Sequence, residues 1–192
     1  MEFNRIRNIA EKILSAGWTR LSCFDFEFQR RSGEWSEQKR EVYCRGPASA
    51  IVPYDPIRQT VLLTRQLRFP AFLNGENPMM LEACAGIIDE GETPEIAIMR
   101  EGEEELGYRF HQLTRIGRGF SSPGYSSEEL YLFIATYDAG DRIGAGGGLY
   151  SEGEDIEVVE MALEKALIMV ENEEIIDLKT ILLLNLCKQK FC

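Results

Sequence analysis

The sequence predicts an α/β fold, an α/β/α sandwich around a mixed sheet with a β-hairpin appended at the N-terminus. Three observations predict it. Phe24, Phe26 and Phe28 alternate with Cys23, Asp25 and Glu27, the period-two pattern of a strand with one apolar face. Further strands flank one capped helix in the middle of the chain, over 94–106. Two segments with apolar residues at helical spacing, Leu163–Val170 and Thr180–Leu186, end the chain and are expected to cover the sheet.

Taken in order, Ile6, Ile9, Ala10, Ile13 and Leu14 stand at helical spacing, which predicts a short helix over 4–15 ahead of Gly17. Trp18–Arg30 reads as a strand, Arg31-Ser32-Gly33-Glu34 as a turn and 35–45 as the returning strand. Such a hairpin is marginal alone and has to pack on something. Ala48–Pro53 and Val61–Arg68 are strands joined by a Pro/Asp loop, and Met79–Ala85 is a third, running into the central helix. Thr93 caps that helix, Pro94 suits its first turn, where an N–H is orphaned anyway, and Gly107 ends it in a left-handed conformation. Thr114–Phe120 and Leu130–Tyr137 follow as strands around a turn at Pro123-Gly124. A flexible glycine-rich stretch at 139–148 then leads towards a last strand, Ile156–Met161. The expected boundary separates an N-terminal element, 1–45, from a main domain, 46–192.

At 192 residues, 44% hydrophobic and 28% charged, the chain is long enough for one substantial core plus a small appended element. Its net charge of −11 argues against general binding of nucleic acid or anionic membranes, which need a basic face. Cys23, Cys44, Cys84, Cys187 and Cys192 form no CxxC pair and His111 is the single histidine, so a zinc site of the usual type is excluded. Free thiols in a reducing cytoplasm are expected. The N-terminal stretch lacks an apolar signal core and no run approaches the ~18 apolar residues of a membrane helix, so neither secretion nor a membrane span is expected.

On the central helix Glu101, Glu104 and Glu105 fall at i, i+3 and i+4, which gathers three carboxylates on one side within about a turn. Like charges so placed repel by only a few tenths of a kcal/mol, so the cluster alone also reads as a solvated acidic face. The spacing around it is more particular. Gly86, five residues, Glu92, seven residues, Arg100-Glu101, two residues, Glu104-Glu105, one residue and Gly107 reproduce the signature of the Nudix hydrolases. Gly102 departs from it, standing where that family has an apolar residue. A glycine inside a helix costs up to about 1 kcal/mol and is expected to loosen the turn carrying Glu101.

The resemblance covers nearly the whole chain, and it, rather than propensity, specifies the Nudix-type topology. Lys39–Tyr43, Arg45-Gly46, Arg65–Arg68, Ser122-Pro123-Gly124 and Glu152–Ile156 are similar to segments of the enzymes acting on nucleoside-diphosphate sugars, the ADP-ribose and GDP-mannose pyrophosphatases. KILS at 12–15, NGEN at 74–77, AGGG at 145–148 and LKTILLLNL at 178–186 resemble the GDP-mannose branch more closely. The resemblance implies a homodimer with an exchanged N-terminal element. It also implies Mg²⁺ or Mn²⁺ held by the Ala85 carbonyl, Glu101, Glu105 and Glu154, with Glu104 beside them. Trp18 would stack on the base from the other subunit, while Lys39, Arg40, Glu41, Arg68, Glu128 and Lys179 would line sugar and phosphates. Arg100 would orient the helix glutamates.

Each assignment has a plainer rival: Trp18 as an interface or core aromatic, Lys39-Arg40 as edge-strand charge, Glu152 and Glu154 as loop carboxylates, Cys84 as a small buried hydrophobe. Diphosphate hydrolysis by an acidic chain needs local cations, and oxygen-only carboxylate ligands suit Mg²⁺ or Mn²⁺. The base that takes the proton of the attacking water is left open among Glu128, Glu152 and Glu154. The implied reaction is cleavage of a nucleotide sugar without nucleic-acid or membrane partners, GDP-mannose giving GMP and mannose 1-phosphate. The alternatives are ADP-ribose as substrate, or a sensor that kept the fold without the activity. Intact Glu101, Glu104 and Glu105 favour an enzyme over a sensor.

Overall fold

The computed structural model describes residues 5–191, so residue 4 of the expected N-terminal helix and Cys192 lie outside the described residues. The chain divides into two compact units, Met1–Pro47 with Phe120–Glu129, and Ala48–Gly119 with Leu130–Cys192.

The first unit is an antiparallel sheet of β1 (Ile6–Ala16), β2 (Arg20–Gln29) and β3 (Trp35–Cys44), in that order. β2 and β3 pair in unbroken register from Arg20↔Cys44 to Gln29↔Trp35, the expected hairpin. β1 corrects the expected helix. Its pairing with β2 shifts register between Arg7 and Ala10 and between Ile13 and Ser15, and Asn8 adopts φ 54° at the first shift. A bulge adds a residue to the two-residue repeat, so a bulged strand can carry apolar residues three or four apart and imitate a helix. Every residue of β1 is exposed, Ile6, Ile9, Ile13 and Leu14 included. Phe120–Glu129 joins this unit through the end of β3: Tyr43 N–H donates to the Tyr125 carbonyl at 2.8 Å, and Ser127 N–H to the Tyr43 carbonyl at 3.1 Å.

The second unit is built on β4 (Ala48–Asp55), β5 (Thr60–Leu67), β6 (Met79–Glu82), β7 (Cys84–Ile87), β8 (His111–Phe120), β9 (Glu129–Thr136) and β10 (Glu157–Ala162). The sheet runs β10-β5-β4-β9-β8, with β6 beside β5 and β7 beside β4. It is mixed, since β4 pairs parallel with β9 and antiparallel with β5 and β7. The strand expected over Met79–Ala85 is two strands. The chain leaves β5 and joins β4 at Ala83, and the amide at that break donates to Thr180 Oγ1 at 2.7 Å, so the buried N–H stays satisfied. A short helix that the sequence reading missed, α1 (Phe69–Leu73), follows β5.

β4 is buried along its whole length, and its alternate side chains feed two cores. Ala50, Val52 and Tyr54 pack with Val61, Leu63 and Ile134 against α3 (Leu163–Glu171) and α4 (Leu178–Phe191), through Leu163, Ala166, Leu183 and Leu184. Ile51 faces the other way, with Leu62, Cys84 and Phe133, towards Ile98 on α2 (Pro94–Glu101) and Leu106 just beyond it. These two apolar layers make the expected α/β/α sandwich. No helix among the described residues is long and apolar enough to cross a membrane.

Candidate active site

Local chemistry starts α2 as expected. Thr93 Oγ1 accepts the Ile96 amide at 3.3 Å, Pro94 occupies the first turn, and Ser49 Oγ donates to the Pro94 carbonyl at 2.9 Å, tying the helix start to β4. Gly107 ends the helical stretch at φ 73°, left-handed as expected. Between these ends the geometry changes. α2 stops at Glu101 and Gly102–Leu106 is one π turn, where a continuous α-helix was expected. Gly102 does not simply loosen the helix. A Cβ there would collide with the ring of Phe110, so glycine lets that ring pack against the helix. π turns inside helices often mark functional sites.

The π turn and the loop after β7 bring two buried carboxylates together. Glu105 is 2% exposed; its Oε2 accepts the Ala85 amide at 3.2 Å, and the Cys84 thiol bonds the same carboxylate. Burial pushes the Cys84 thiol well above its ordinary range, so it stays protonated as a donor. Glu101 lies over Gly86, where a Cβ would collide with its carboxylate. This close approach accounts for the glycine that opens the signature. Burial pushes Glu101 and Glu105 up to about 7 each; Arg100 opposes the rise at Glu101, and the charges of Glu154 and of the neighbouring glutamates add to it.

Arg100 holds the outer side. Its Nε and Nη2 donate to the two oxygens of Glu92 at 3.1 Å each, its Nη1 to Glu101 at 2.8 Å and Glu104 at 3.0 Å, and its Nη2 also to the Ile87 carbonyl at 3.1 Å. The Glu92 bonds head the causes that raise the Arg100 pKa, so the guanidinium stays charged. Glu154 reaches the centre from the loop before β10, and its Oε2 accepts the Leu149 amide at 2.8 Å. Glu152 lies in the short turn Tyr150–Glu152 of the same loop.

Arg68 and Lys179 share a partner that sequence reasoning did not single out. Arg68 donates to Glu82 through Nε at 2.7 Å and Nη2 at 3.0 Å, and Lys179 Nζ donates to Glu82 Oε2 at 2.6 Å. Burial alone would raise Glu82, yet the two cations hold it below the ordinary carboxylate value. Arg68 also feels the charge of Glu105. A buried acid on a strand has no local sequence signal, so only the fold identifies Glu82.

The other candidates belong to the first unit. Trp18 is 82% exposed with the Arg45 guanidinium 4.8 Å from its ring, and Arg45 also pairs with Glu128 at 2.9 Å. Lys39 lies 3.6 Å from Asp25, Arg40 donates to the Lys39 carbonyl at 2.7 Å, and Glu41 pairs in register with Cys23. The second unit thus gathers Ala85, Arg100, Glu101, Glu104, Glu105 and Glu154, while the first holds Trp18, Lys39, Arg40, Glu41 and Glu128.

Among the described residues no three acidic, thiol or imidazole groups stand as a ready-made metal cage. Arg100 takes up Glu101 and Glu104, and a backbone amide takes up Glu154. The donor set nevertheless suits a hard cation. It is all oxygen, and two of its carboxylates are buried where their charge is disfavoured until a cation offsets it. This has a consequence for stability. Folded Glu101 and Glu105 titrate above the ordinary carboxylate value, so their contribution is full below about pH 4.5 and is lost as pH rises towards about 7. The melting temperature in EDTA is expected to fall over that window, with Mg²⁺ reducing the fall and Glu105→Gln flattening it. Scanning calorimetry showing the same pH slope in Glu105→Gln as in the parent would contradict this.

Comparison with known proteins agrees with this geometry. Residues 5–43 match the family model described as the GDP-mannose pyrophosphatase NudK N-terminal domain, and residues 45–182 match the NUDIX domain. A GDP-mannose pyrophosphatase of Salmonella paratyphi B is 42% identical over 178 residues, 92% of each chain. One of Escherichia coli O9:H4 is 41% identical over 182 residues, 94% of each chain. Among solved structures, one described as the crystal structure of an ADP compounds hydrolase superposes with a TM-score of 0.71 over 95% of this chain and 92% of its own, at 22% identity, a likeness of fold. The family model over the second unit, the relatives over nine-tenths of the chain and the signature folded around Glu101 and Glu105 agree: the chain belongs to the Nudix hydrolases and is a Nudix pyrophosphohydrolase, its Nudix domain preceded by an N-terminal domain of the GDP-mannose pyrophosphatase type.

Proposed function

We propose that the chain hydrolyses the diphosphate bond of GDP-mannose, giving GMP and mannose 1-phosphate, with Mg²⁺ or Mn²⁺, in the cytoplasm and as a homodimer. The observation that carries the substrate is the N-terminal match over 5–43 together with relatives named GDP-mannose pyrophosphatase across nine-tenths of the chain. Glu101, Glu105, Glu154 and the Ala85 carbonyl would hold the cation, with Glu104 beside them. A divalent cation held there would supply Lewis acidity towards the diphosphate and towards the attacking water. Arg100 orients Glu101 and Glu104. Arg68 and Lys179, fixed by Glu82, offer positive charge to the phosphates. The proton of the attacking water passes to a loop carboxylate, one of Glu128, Glu152 and Glu154.

In this reading Trp18 stacks on the base from the other subunit, and Lys39 and Arg40 contact the phosphates. Glu41 accepts from guanine N1–H and N2–H₂, where the adenine edge offers fewer donors. The exposure of Trp18 and of the apolar residues of β1 supports an N-terminal element shared with a second subunit. Among the described residues Cys23, Cys44, Cys84 and Cys187 form no disulfide, which accords with a reducing compartment. A panel of nucleotide sugars incubated with Mg²⁺, then with phosphatase, and scored for released phosphate tests the proposal; the strongest signal is expected from GDP-mannose, and none in EDTA. Sedimentation at micromolar concentration is expected to give a dimer. A monomer would remove Trp18 from the substrate site.

A further inference from the structure

The glycine-rich stretch expected as a flexible connector is folded onto the end of the catalytic helix. Ile143 and Gly144 N–H donate to the Gly107 carbonyl at 2.8 and 3.1 Å, Gly147 N–H to the Glu105 carbonyl at 2.9 Å, and Gly148 N–H to the Glu104 carbonyl at 3.1 Å. The last carbonyls of a helix have no partner of their own, and here this loop provides partners for the turn that carries Glu104 and Glu105. Gly146, Gly147 and Gly148 adopt φ 69°, 110° and 76°, three consecutive residues in a region that side chains disfavour.

Space is as restrictive as torsion. A Cβ at Gly146 would collide with the Glu105 carbonyl and lie 2.7 Å from the Leu106 carbonyl carbon. One at Gly148 would collide with the Glu154 carboxylate and lie 2.8 Å from the Glu154 Cβ. Directly after Gly148, Leu149 N–H donates to Glu154 Oε2 at 2.8 Å, while the Gly147 carbonyl accepts the Ile156 amide at 3.1 Å. The stretch 146–149 therefore bonds the backbone of the turn carrying Glu105 through Gly147 and Gly148 and, through the Leu149 amide, the side chain of Glu154, almost fifty positions further along, while Gly146 and Gly148 leave the room for both approaches.

We propose that Gly146-Gly147-Gly148 is a positioning clamp that fixes Glu154 relative to Glu105 and so sets the affinity of the site for its divalent cation. The proposal rests on the reading of Glu105 and Glu154 as ligands. It makes the AGGG segment part of the working centre, acting through backbone reach with no functional side chain of its own. Small displacements of supporting elements are enough to weaken such sites.

The test is Mn²⁺ binding to the full chain by titration calorimetry, with the melting temperature of the metal-free protein as a folding check. Gly148→Ala and Glu154→Gln are each expected to raise the Kd for Mn²⁺ at least about tenfold. The double variant is expected to be no weaker than Glu154→Gln alone, because both changes act through one carboxylate. Gly75→Ala is the control for torsional strain: Gly75 has φ 82° with open space around it, so its substitution should lower the melting temperature and leave Kd unchanged. Gly147→Ala meets only the Ile156 carbonyl, at 3.7 Å, and serves if Gly148→Ala does not fold; it too should weaken binding, whereas Gly75→Ala does not. If Glu154→Gln weakens Mn²⁺ binding but the loop variants leave Kd within about twofold, the clamp is wrong and the ligand reading stands. If Glu154→Gln leaves Kd unchanged, that reading fails and the clamp with it.

Discussion

Glu105→Gln is expected to lower kcat/KM for the nucleotide sugar by at least about 100-fold, or about 2.7 kcal/mol of barrier, while raising the melting temperature of the metal-free protein above about pH 7, where the carboxylate is ionised. The two effects separate chemistry from folding. Glutamine keeps the shape of Glu105 and can still accept the Ala85 amide, but it removes the charge proposed to hold the cation. It also removes a carboxylate that burial and the nearby charges of Glu101 and Glu154 push up to about 7, so the fold loses a repulsion rather than a support. A loss in kcat/KM below about tenfold would mean that Glu105 carries no catalytic cation.

Arg100→Ala is expected to have the next largest effect, a loss of about 10–100-fold, the range seen when partners that orient metal ligands are removed. The substitution leaves Glu92, Glu101, Glu104 and the Ile87 carbonyl without their common donor. Arg100→Lys should recover little. A lysine offers a compact charge, whereas the planar fork of Arg100 meets both oxygens of Glu92 while reaching two further carboxylates. The measurement is kcat/KM across a Mg²⁺ titration. A value within about threefold of the parent at every concentration would make the Arg100 bonds incidental.

The sequence was legible where the determinants are local. Thr93, Pro94 and Gly107 mark a helical stretch by capping chemistry that needs no distant residue, and alternating Phe24, Phe26 and Phe28 mark a strand in the same way. The spacing of Glu101 and Glu105 puts the two carboxylates on one side of a helical stretch, and both are buried there. Readings failed where a distant partner decides. β1 looks helical because bulges against β2 stretch its apolar repeat, and Met79–Ala85 breaks at Ala83 because the chain changes partner from β5 to β4. The last turn of the central helical stretch is π rather than α in a context set by Phe110 and by the glycine loop, both outside the helix. Glu82 is invisible in sequence for the same reason. Its meaning comes from Arg68 and Lys179, which the fold brings to it.

The measurement that tests the central claim most directly is kcat/KM for GDP-mannose and for ADP-ribose on the parent protein with Mg²⁺, with products identified by chromatography. GDP-mannose is expected to be cleaved with the larger kcat/KM, to GMP and mannose 1-phosphate, in a reaction abolished by EDTA. A larger kcat/KM for ADP-ribose, or turnover of GDP-mannose that survives EDTA, would contradict it.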